Sequence, residues 1–226
     1  MARLLATCVL SLATLLAAAP ARADAVADAI AKAQADGLPV APLQSKAAEG
    51  KAKRVAPDRI AKVIEQLARF MRHARDHYAR SSRATPRVPP SHPSAAQPSA
   101  ALLAAIAEAR LAGIAPGQLF KLVPNPAAAA AARRVDALSD LHLRGFPAGR
   151  ALRLVQRARA SDLAGLGRLA DTLRKRGFTP AGAIDELTVG VERGNSLAAH
   201  AANAARRGAA PAATKGRGRA RGHDKK

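Results

Sequence analysis

The pair His73 and His77 has the spacing of two metal ligands on one helix face. Imidazoles four positions apart on a helix can bind a single zinc ion. The string between them lacks the glutamate of a zinc protease, and Arg72 and Arg75 place positive charge beside any bound cation. We therefore interpret the pair as part of a solvated helix face. Weak zinc binding is the alternative, and calorimetry with zinc would detect it.

Two carboxylate pairs, Asp136 with Asp140 and Asp185 with Glu186, could exchange protons with a substrate. Arginines lie near them in sequence, and no nucleophile or phosphate-binding loop accompanies them, so surface ion pairs are expected instead. The single cysteine, Cys8, lies in an apolar N-terminal segment, so the rest of the chain has no thiol for catalysis or metal binding. We expect no catalytic, metal or cofactor site. An enzyme whose site the sequence does not reveal is the less favoured alternative.

The C-terminal segment is a series of basic residues separated by glycine and alanine. Because it cannot bury a core, residues 207–226 are predicted to form a disordered tail. A flexible polycation binds phosphates or carboxylates with release of counterions, although a chain this basic attracts some polyanion whether or not that is its role. No aromatic residues are interleaved for stacking on bases. The predicted polyanion-binding residues are Arg206, Arg207, Lys215, Arg217, Arg219, Arg221, Lys225 and Lys226.

The whole chain shares this basic character. Its 226 residues carry a formal net charge of +21, which indicates an anionic partner or surface without identifying it. Hydrophobic residues make up 49% of the chain but aromatic residues only 2%, and the excess is alanine. Alanine favours helix while burying little area, so a helical protein with a thin core is expected.

The N-terminus is typical of a secretory signal peptide. Arg3 supplies the positive start, residues 4–19 form an apolar run, and the string from Ala21 to Ala23 fits the cleavage motif. We predict cleavage between Ala23 and Asp24, which makes residues 1–23 a signal peptide and leaves no transmembrane span in the mature chain. The prediction is therefore a periplasmic or secreted protein; an uncleaved anchor is the alternative.

Three glycines, Gly113, Gly145 and Gly177, recur at an interval of 32 residues. Each follows a predicted helix and precedes a large apolar residue and then a proline, a pattern typical of a left-handed helix end followed by a new helix. Apolar residues also stand seven and four positions before each glycine, on one helix face. This pattern predicts stacked helical hairpins, and a fainter copy occurs at Gly37. A chain rich in alanine and glycine also produces such spacings by chance. The face residues are Ile106, Ala109, Leu138, Leu141, Ala170 and Leu173.

The strongest helical periodicity runs from Pro57 to about Tyr78, with apolar residues at steps of three and four. Five prolines among residues 81–99 exclude a helix there and predict an extended linker. A further helix is expected to end at Arg144, with Asn125 as its N-cap and Pro126 as its first residue. The other predicted helices cover residues 24–36, 42–54, 99–112, 116–123, 147–160, 162–176, 180–192 and 196–206. Ser161 is the predicted N-cap of the helix 162–176.

These observations predict an all-α protein built from short helical hairpins in two groups. Residues 24–80 would form an N-terminal helical unit, residues 81–99 a linker rich in proline and serine, and residues 100–206 a C-terminal array with repeats of about 32 residues. We expect a non-catalytic binding or scaffold protein that docks on an anionic envelope surface or an acidic partner. The alternative is a basic protein that binds and compacts nucleic acid.

Overall fold

The computed structural model of the protein describes residues 20–84 and 97–208. Over these residues the chain forms ten α-helices and one short 3₁₀ turn, with no strand, which confirms the all-α prediction. The predicted apolar signal segment, most of the predicted linker and most of the predicted tail lie outside the described residues. The helices are α1 Pro20–Ala35, α2 Val40–Ala52, α3 Pro57–Ala84, α4 Ala100–Leu111, α5 Pro116–Leu122, α6 Ala131–Leu143, α7 Ala148–Arg157, α8 Leu166–Lys175, α9 Pro180–Glu192 and α10 Leu197–Arg207, and the 3₁₀ turn is Leu163–Gly165.

One turn geometry joins consecutive helices at six places. Two residues after each of these helices ends, a residue adopts a left-handed backbone conformation, and the next helix begins three residues later. At Gly113, for example, the N–H groups of Gly113 and Ile114 donate to the carbonyls of Arg110 and Ala109 at 3.1 and 3.0 Å. These bonds satisfy carbonyls that the end of a helix otherwise leaves unpaired. The left-handed residues at these six turns, all within the described ranges, are Gly37, Arg54, Gly113, Gly145, Gly177 and Gly194.

The left-handed conformation predicted for Gly37, Gly113, Gly145 and Gly177 is confirmed. The repeat is also visible in the helix bounds, since α4, α6 and α8 end at residues 111, 143 and 175, and α5, α7 and α9 begin at residues 116, 148 and 180. Both series have the 32-residue interval of the glycines. All six apolar residues predicted on the helix faces before these glycines are buried: Ile106, Ala109, Leu138, Leu141, Ala170 and Leu173.

The principal helix contacts join elements that are near neighbours in the chain. One row of contacts runs from α1 to α3, α4, α6, α8 and α10, and a second row runs from α5 to α7 and α9. The helix α2 packs on α1 and α3. Each helix therefore buries its apolar face mainly against helices close to it in sequence, as in repeat proteins.

Three local predictions need correction. Asn125 does not cap a long helix, because its side-chain oxygen accepts a hydrogen bond of 3.0 Å from the Ala127 N–H and closes a turn instead, so α6 begins at Ala131. Ser161 does not cap the next helix, since a 3₁₀ turn intervenes and the N-cap position belongs to Gly165. The helix α3 continues to Ala84, so the first residues of the predicted linker are helical.

Ser99 is the N-cap of α4, since its hydroxyl accepts a hydrogen bond of 3.2 Å from the Leu102 N–H. The helix α10 includes Arg207, the first residue of the predicted tail. The division of the helices into two groups separated by a linker stays a prediction, because residues 85–96 lie outside the described part of the chain.

Candidate functional site

Two of the predicted polyanion-binding residues, Arg206 and Arg207, lie in the last turn of α10. Both have partners: Arg207 donates to Glu186 of α9 at 2.9 Å, and Arg206 donates to the side-chain oxygen of Asn203 within α10. The other six predicted residues, from Lys215 onward, lie outside the described residues. The two predicted cations that the structure describes are therefore both engaged in local contacts.

The helix face with His73 and His77 is only partly solvated. His73 is exposed, but His77 is half-buried and its ring stacks on Phe120 with the ring centroids 3.7 Å apart. Burial, followed by the positive charge of Arg80 and the second histidine, lowers the pKa of His77. Among residues 20–84 and 97–208, no group of three or more potential metal ligands is present. The solvated-face interpretation is thus right for His73 and wrong for His77, which packs α3 against α5.

Three of the four carboxylates that were candidates for acid–base chemistry take part in ion pairs, as expected. Asp140 lies 2.8 Å from Arg144, Asp185 of α9 pairs with Arg150 of α7, and Glu186 pairs with Arg207. Exposed pairs of this kind contribute little to stability, about 0.2–1 kcal/mol each. Their positions on the surface of neighbouring helices fit a structural role.

Asp136 departs from the ion-pair expectation. Within the described residues no basic side chain pairs with it. Partial burial of its carboxyl, together with the negative charge of Glu108, raises its pKa. Sequence could not reveal this arrangement, because the two carboxylates belong to different helices.

Many arginines bind carbonyl oxygens at the ends of neighbouring helices. The guanidinium of Arg134 donates to the carbonyls of Val155 and Gln156, both at 2.7 Å, at the end of α7. Positive charge is favourable at this end of a helix, where carbonyls lack partners. The net charge of +21 therefore overstates the charge that is free to bind a partner. Three further arginines that donate to carbonyls at or beyond helix ends are Arg75 to Asp36, Arg159 to Gly194 and Arg174 to Arg144.

The best candidate for a binding site is a groove of about 430 Å³ between the last two turns of α2 and the first two turns of α3, here called the α2–α3 groove. Its walls are predominantly apolar, whereas its rim is basic. The apolar lining consists of Gly50, Val55, Ile60, Val63 and Ile64, and the charged lining consists of Lys46, Glu49, Lys53, Arg59 and Lys62.

Four cations and one carboxylate line the groove. Glu49 accepts hydrogen bonds from Lys46 at 2.8 Å and Lys53 at 2.5 Å, and these bonds, with the charges of the two lysines, lower the pKa of Glu49 to about 2. The remaining cations, Arg59 and Lys62, are exposed and have no ion-pair or hydrogen-bond partner among the described residues. Positive charge is thus available at the α3 side of the groove.

The turn beside the groove differs from the other turns of the same geometry. Its left-handed residue is Arg54, with φ of 55°, the only non-glycine residue of positive φ in the described chain. The apolar residue that follows, Val55, is 37% exposed, whereas Leu38, Ile114 and Phe146 at the same turn position are 4%, 1% and 2% exposed. A strained residue and an uncovered apolar side chain therefore coincide at the edge of the groove. The glycine pattern in the sequence does not include this turn, because an arginine occupies its left-handed position.

The arrangement can bind an anion beside an apolar group, because cations lie next to uncovered hydrophobic surface. None of the helices in the described ranges combines the length and hydrophobicity that a membrane-spanning segment needs. Comparison with known proteins finds no matching family model, no matching curated protein and no matching solved structure.

Proposed function

We propose that the protein is a non-catalytic helical binding or scaffold protein, periplasmic or secreted, that docks on an anionic surface of the cell envelope. The observation that carries this proposal is the α2–α3 groove, where Arg59 and Lys62 have no partner among the described residues and lie beside exposed Val55. The basic C-terminal residues would add long-range attraction to the same surface.

An envelope surface fits this groove better than nucleic acid does. A nucleic acid backbone offers phosphates to Arg59 and Lys62, but it offers no apolar partner for Val55 and Val63. An anionic membrane surface offers phosphate groups directly above an apolar layer. The signal-like sequence of residues 1–23 supports the same compartment.

Cosedimentation of the full chain with vesicles tests the docking. We expect binding to phosphatidylglycerol vesicles, weaker binding as salt rises, and little binding to phosphatidylcholine vesicles. Deletion of residues 208–226 should weaken the binding to phosphatidylglycerol vesicles, because it removes the positive charges of the predicted tail. Unchanged binding after the deletion would contradict a role for the tail. Equal binding to both kinds of vesicle would contradict the electrostatic part of the proposal.

The double variant Arg59→Glu/Lys62→Glu tests the groove rim. Its matched control is Arg153→Glu/Arg168→Glu, which changes the net charge equally. In the control, Arg168 is the third residue of α8 as Arg59 is of α3, and Arg153 is the sixth residue of α7 as Lys62 is of α3. All four side chains are exposed. We expect the rim variant to lose vesicle binding and the control to retain it; the same loss in both would mean that only total charge matters.

Cell fractionation with mass determination of the N-terminus tests the compartment. A periplasmic or secreted chain that begins at Asp24 would support the envelope. A cytoplasmic chain that retains Met1 or begins at Ala2 would contradict it and favour the nucleic-acid alternative.

A further inference from the structure

We propose that the α2–α3 groove binds the acyl chain of a single-chain anionic amphiphile, with the anionic head at Arg59 and Lys62. This inference rests on the proposed envelope docking and deepens it. It names a ligand of the groove, an alkyl chain that ends in a phosphate or carboxylate. It also distinguishes the groove from the predicted basic tail, whose sequence contains no large apolar residue.

The dimensions and lining of the groove are those of a small-molecule site. Its volume of about 430 Å³ falls within the range of ligand pockets, about 300–1,000 Å³, which are lined mainly by hydrophobic side chains with a few polar groups that orient the ligand. Here the polar groups all lie on the rim, and the walls are formed by Val55, Ile60 and Val63 with the backbone of Gly50. A purely polar anion would leave the exposed parts of Val55 and Val63 in contact with water, whereas Ile60 is already buried.

Gly50 allows α2 and α3 to approach closely beneath the groove. A Cβ atom at this position would lie 2.8 Å from the Cγ1 atom of Ile60, closer than carbon atoms normally approach. The glycine therefore leaves room for Ile60 to pack against α2 as one wall. The groove is built by the packing of two helices together with the turn between them.

The basic side chains of the rim differ in whether they have an ion-pair partner. Lys46 and Lys53 are held by Glu49, whereas Arg59 and Lys62 are exposed and lack partners among the described residues. Charge-assisted hydrogen bonds to a phosphate or carboxylate are about twice as strong as neutral ones, and an arginine can form two at once. The head of the amphiphile therefore belongs at the α3 side of the groove.

The turn at Arg54 and Val55 gives a second, independent reason. A left-handed residue other than glycine is strained by about 1–2 kcal/mol, and such strain is concentrated at functional sites. At three turns of the same geometry the apolar residue after the left-handed position is buried in the protein, but Val55 is 37% exposed. An alkyl chain in the groove would cover Val55 and give it the apolar contact that its counterparts make within the fold.

The experiment uses the full chain and three probes below any micelle-forming concentration. Dodecyl phosphate carries the chain and the anion, dodecyltrimethylammonium carries the chain with a cation, and inorganic phosphate carries the anion alone. We expect dodecyl phosphate to bind with one-to-one stoichiometry in calorimetry and to shift the methyl NMR signals of Val55 and Val63. The other two probes should bind at least about tenfold more weakly, since each offers one half of the interaction.

Two variants locate the site. Val55→Asp places a carboxylate at the groove wall, and Arg59→Glu/Lys62→Glu reverses the charge of the rim; each should weaken dodecyl phosphate binding by about tenfold or more. The control Arg153→Glu/Arg168→Glu should bind as the unmodified chain does. Circular dichroism shows whether each variant is folded, and only folded variants are compared.

Other outcomes overturn the inference. Equal binding of dodecyltrimethylammonium would show that the rim charges do not select the head, and methyl shifts confined to other residues would place the ligand elsewhere. If an acidic amphipathic peptide shifts Val55 and Val63 while dodecyl phosphate does not, the groove binds a protein helix instead. Vesicle binding without dodecyl phosphate binding would overturn this inference but leave the envelope docking intact, whereas loss of vesicle binding would overturn the docking itself.

Discussion

The hydroxyl of Tyr78 donates a hydrogen bond of 2.9 Å to the carbonyl oxygen of Val123. Both residues are buried, and the tyrosine ring lies edge-on to Phe120 at a centroid distance of 5.7 Å. Tyr78 belongs to α3, and Val123 is the residue that follows α5. This bond therefore links the longest described helix to the end of α5.

Removing the hydroxyl tests the strength of this link. Tyr78→Phe retains the ring but deprives the buried Val123 carbonyl of a donor, so we expect the free energy of unfolding to fall by about 1–2 kcal/mol. Urea unfolding followed by circular dichroism measures the change. A midpoint equal to that of the unmodified chain, with an equal slope, would show that another donor or water replaces the hydroxyl.

The same residue predicts a response to alkaline pH. Burial raises the pKa of Tyr78 from 10.0 to about 12. Between these values the folded chain keeps the proton while the unfolded chain loses it, so the stabilising effect of the neutral phenol is complete below pH 10 and is lost as pH rises through the folded-state pKa. Because the sequence contains one tyrosine and no tryptophan, the absorbance of the phenolate reports this residue alone. The prediction would be contradicted if the phenolate absorbance of the folded chain had its titration midpoint near the midpoint of the urea-unfolded chain.

Gly145 and Gly149 form a matched pair for the turn geometry. Neither has an atom within 4 Å of an added Cβ, but Gly145 has φ of +82° and Gly149 lies within α7. We expect Gly145→Ala to lower the free energy of unfolding by about 1–2 kcal/mol, because the left-handed conformation is strained for alanine. Gly149→Ala should raise it by up to about 1 kcal/mol through helix propensity. Urea unfolding of both variants measures these changes. Changes of the same sign in the free energy of unfolding would refute the conformational explanation.

The close contact between Gly190 and His200 leads to a further prediction. A Cβ on Gly190 would lie 2.7 Å from Cδ2 and 2.8 Å from Cγ of His200, and rotating the imidazole about its Cβ–Cγ bond leaves the Cγ clash in place. Gly190→Ala should therefore destabilise the packing of α9 on α10 by about 1–3 kcal/mol. The double variant Gly190→Ala/His200→Ala should be more stable than the sum of the single effects predicts. Additive effects would show that the helices move apart without strain.

The helix ends were predictable because their signals are local. Within a few residues, a glycine followed by an apolar residue and a proline indicates the end of one helix and the start of the next. This pattern occurs at Gly113, Gly145 and Gly177. The turn at Arg54 was not predictable in this way, since an arginine in the left-handed conformation carries no sequence signal. The start of α6 was missed because the Asn125 side chain can close a turn or cap a helix equally well.

The candidate site was harder to predict because its parts interact across helices. The charge pattern could not show that Arg134 binds carbonyls at the end of α7, 21 residues away, or that Lys62 remains without a partner among the described residues. Nor could it show that Val55 stays exposed while Ile114 is buried at the same turn position. Only the packing of the helices separates structural cations from those free to bind.

The near-neighbour contacts of the 32-residue units have a consequence for how such a chain can change its length. Helices of each unit pack on helices of the neighbouring units, so no central core must close around all of them. Duplication or loss of one whole unit between two left-handed glycines would preserve every type of interface between units. A chain of this kind can therefore gain or lose length in steps of one unit, with the α2–α3 groove unaffected.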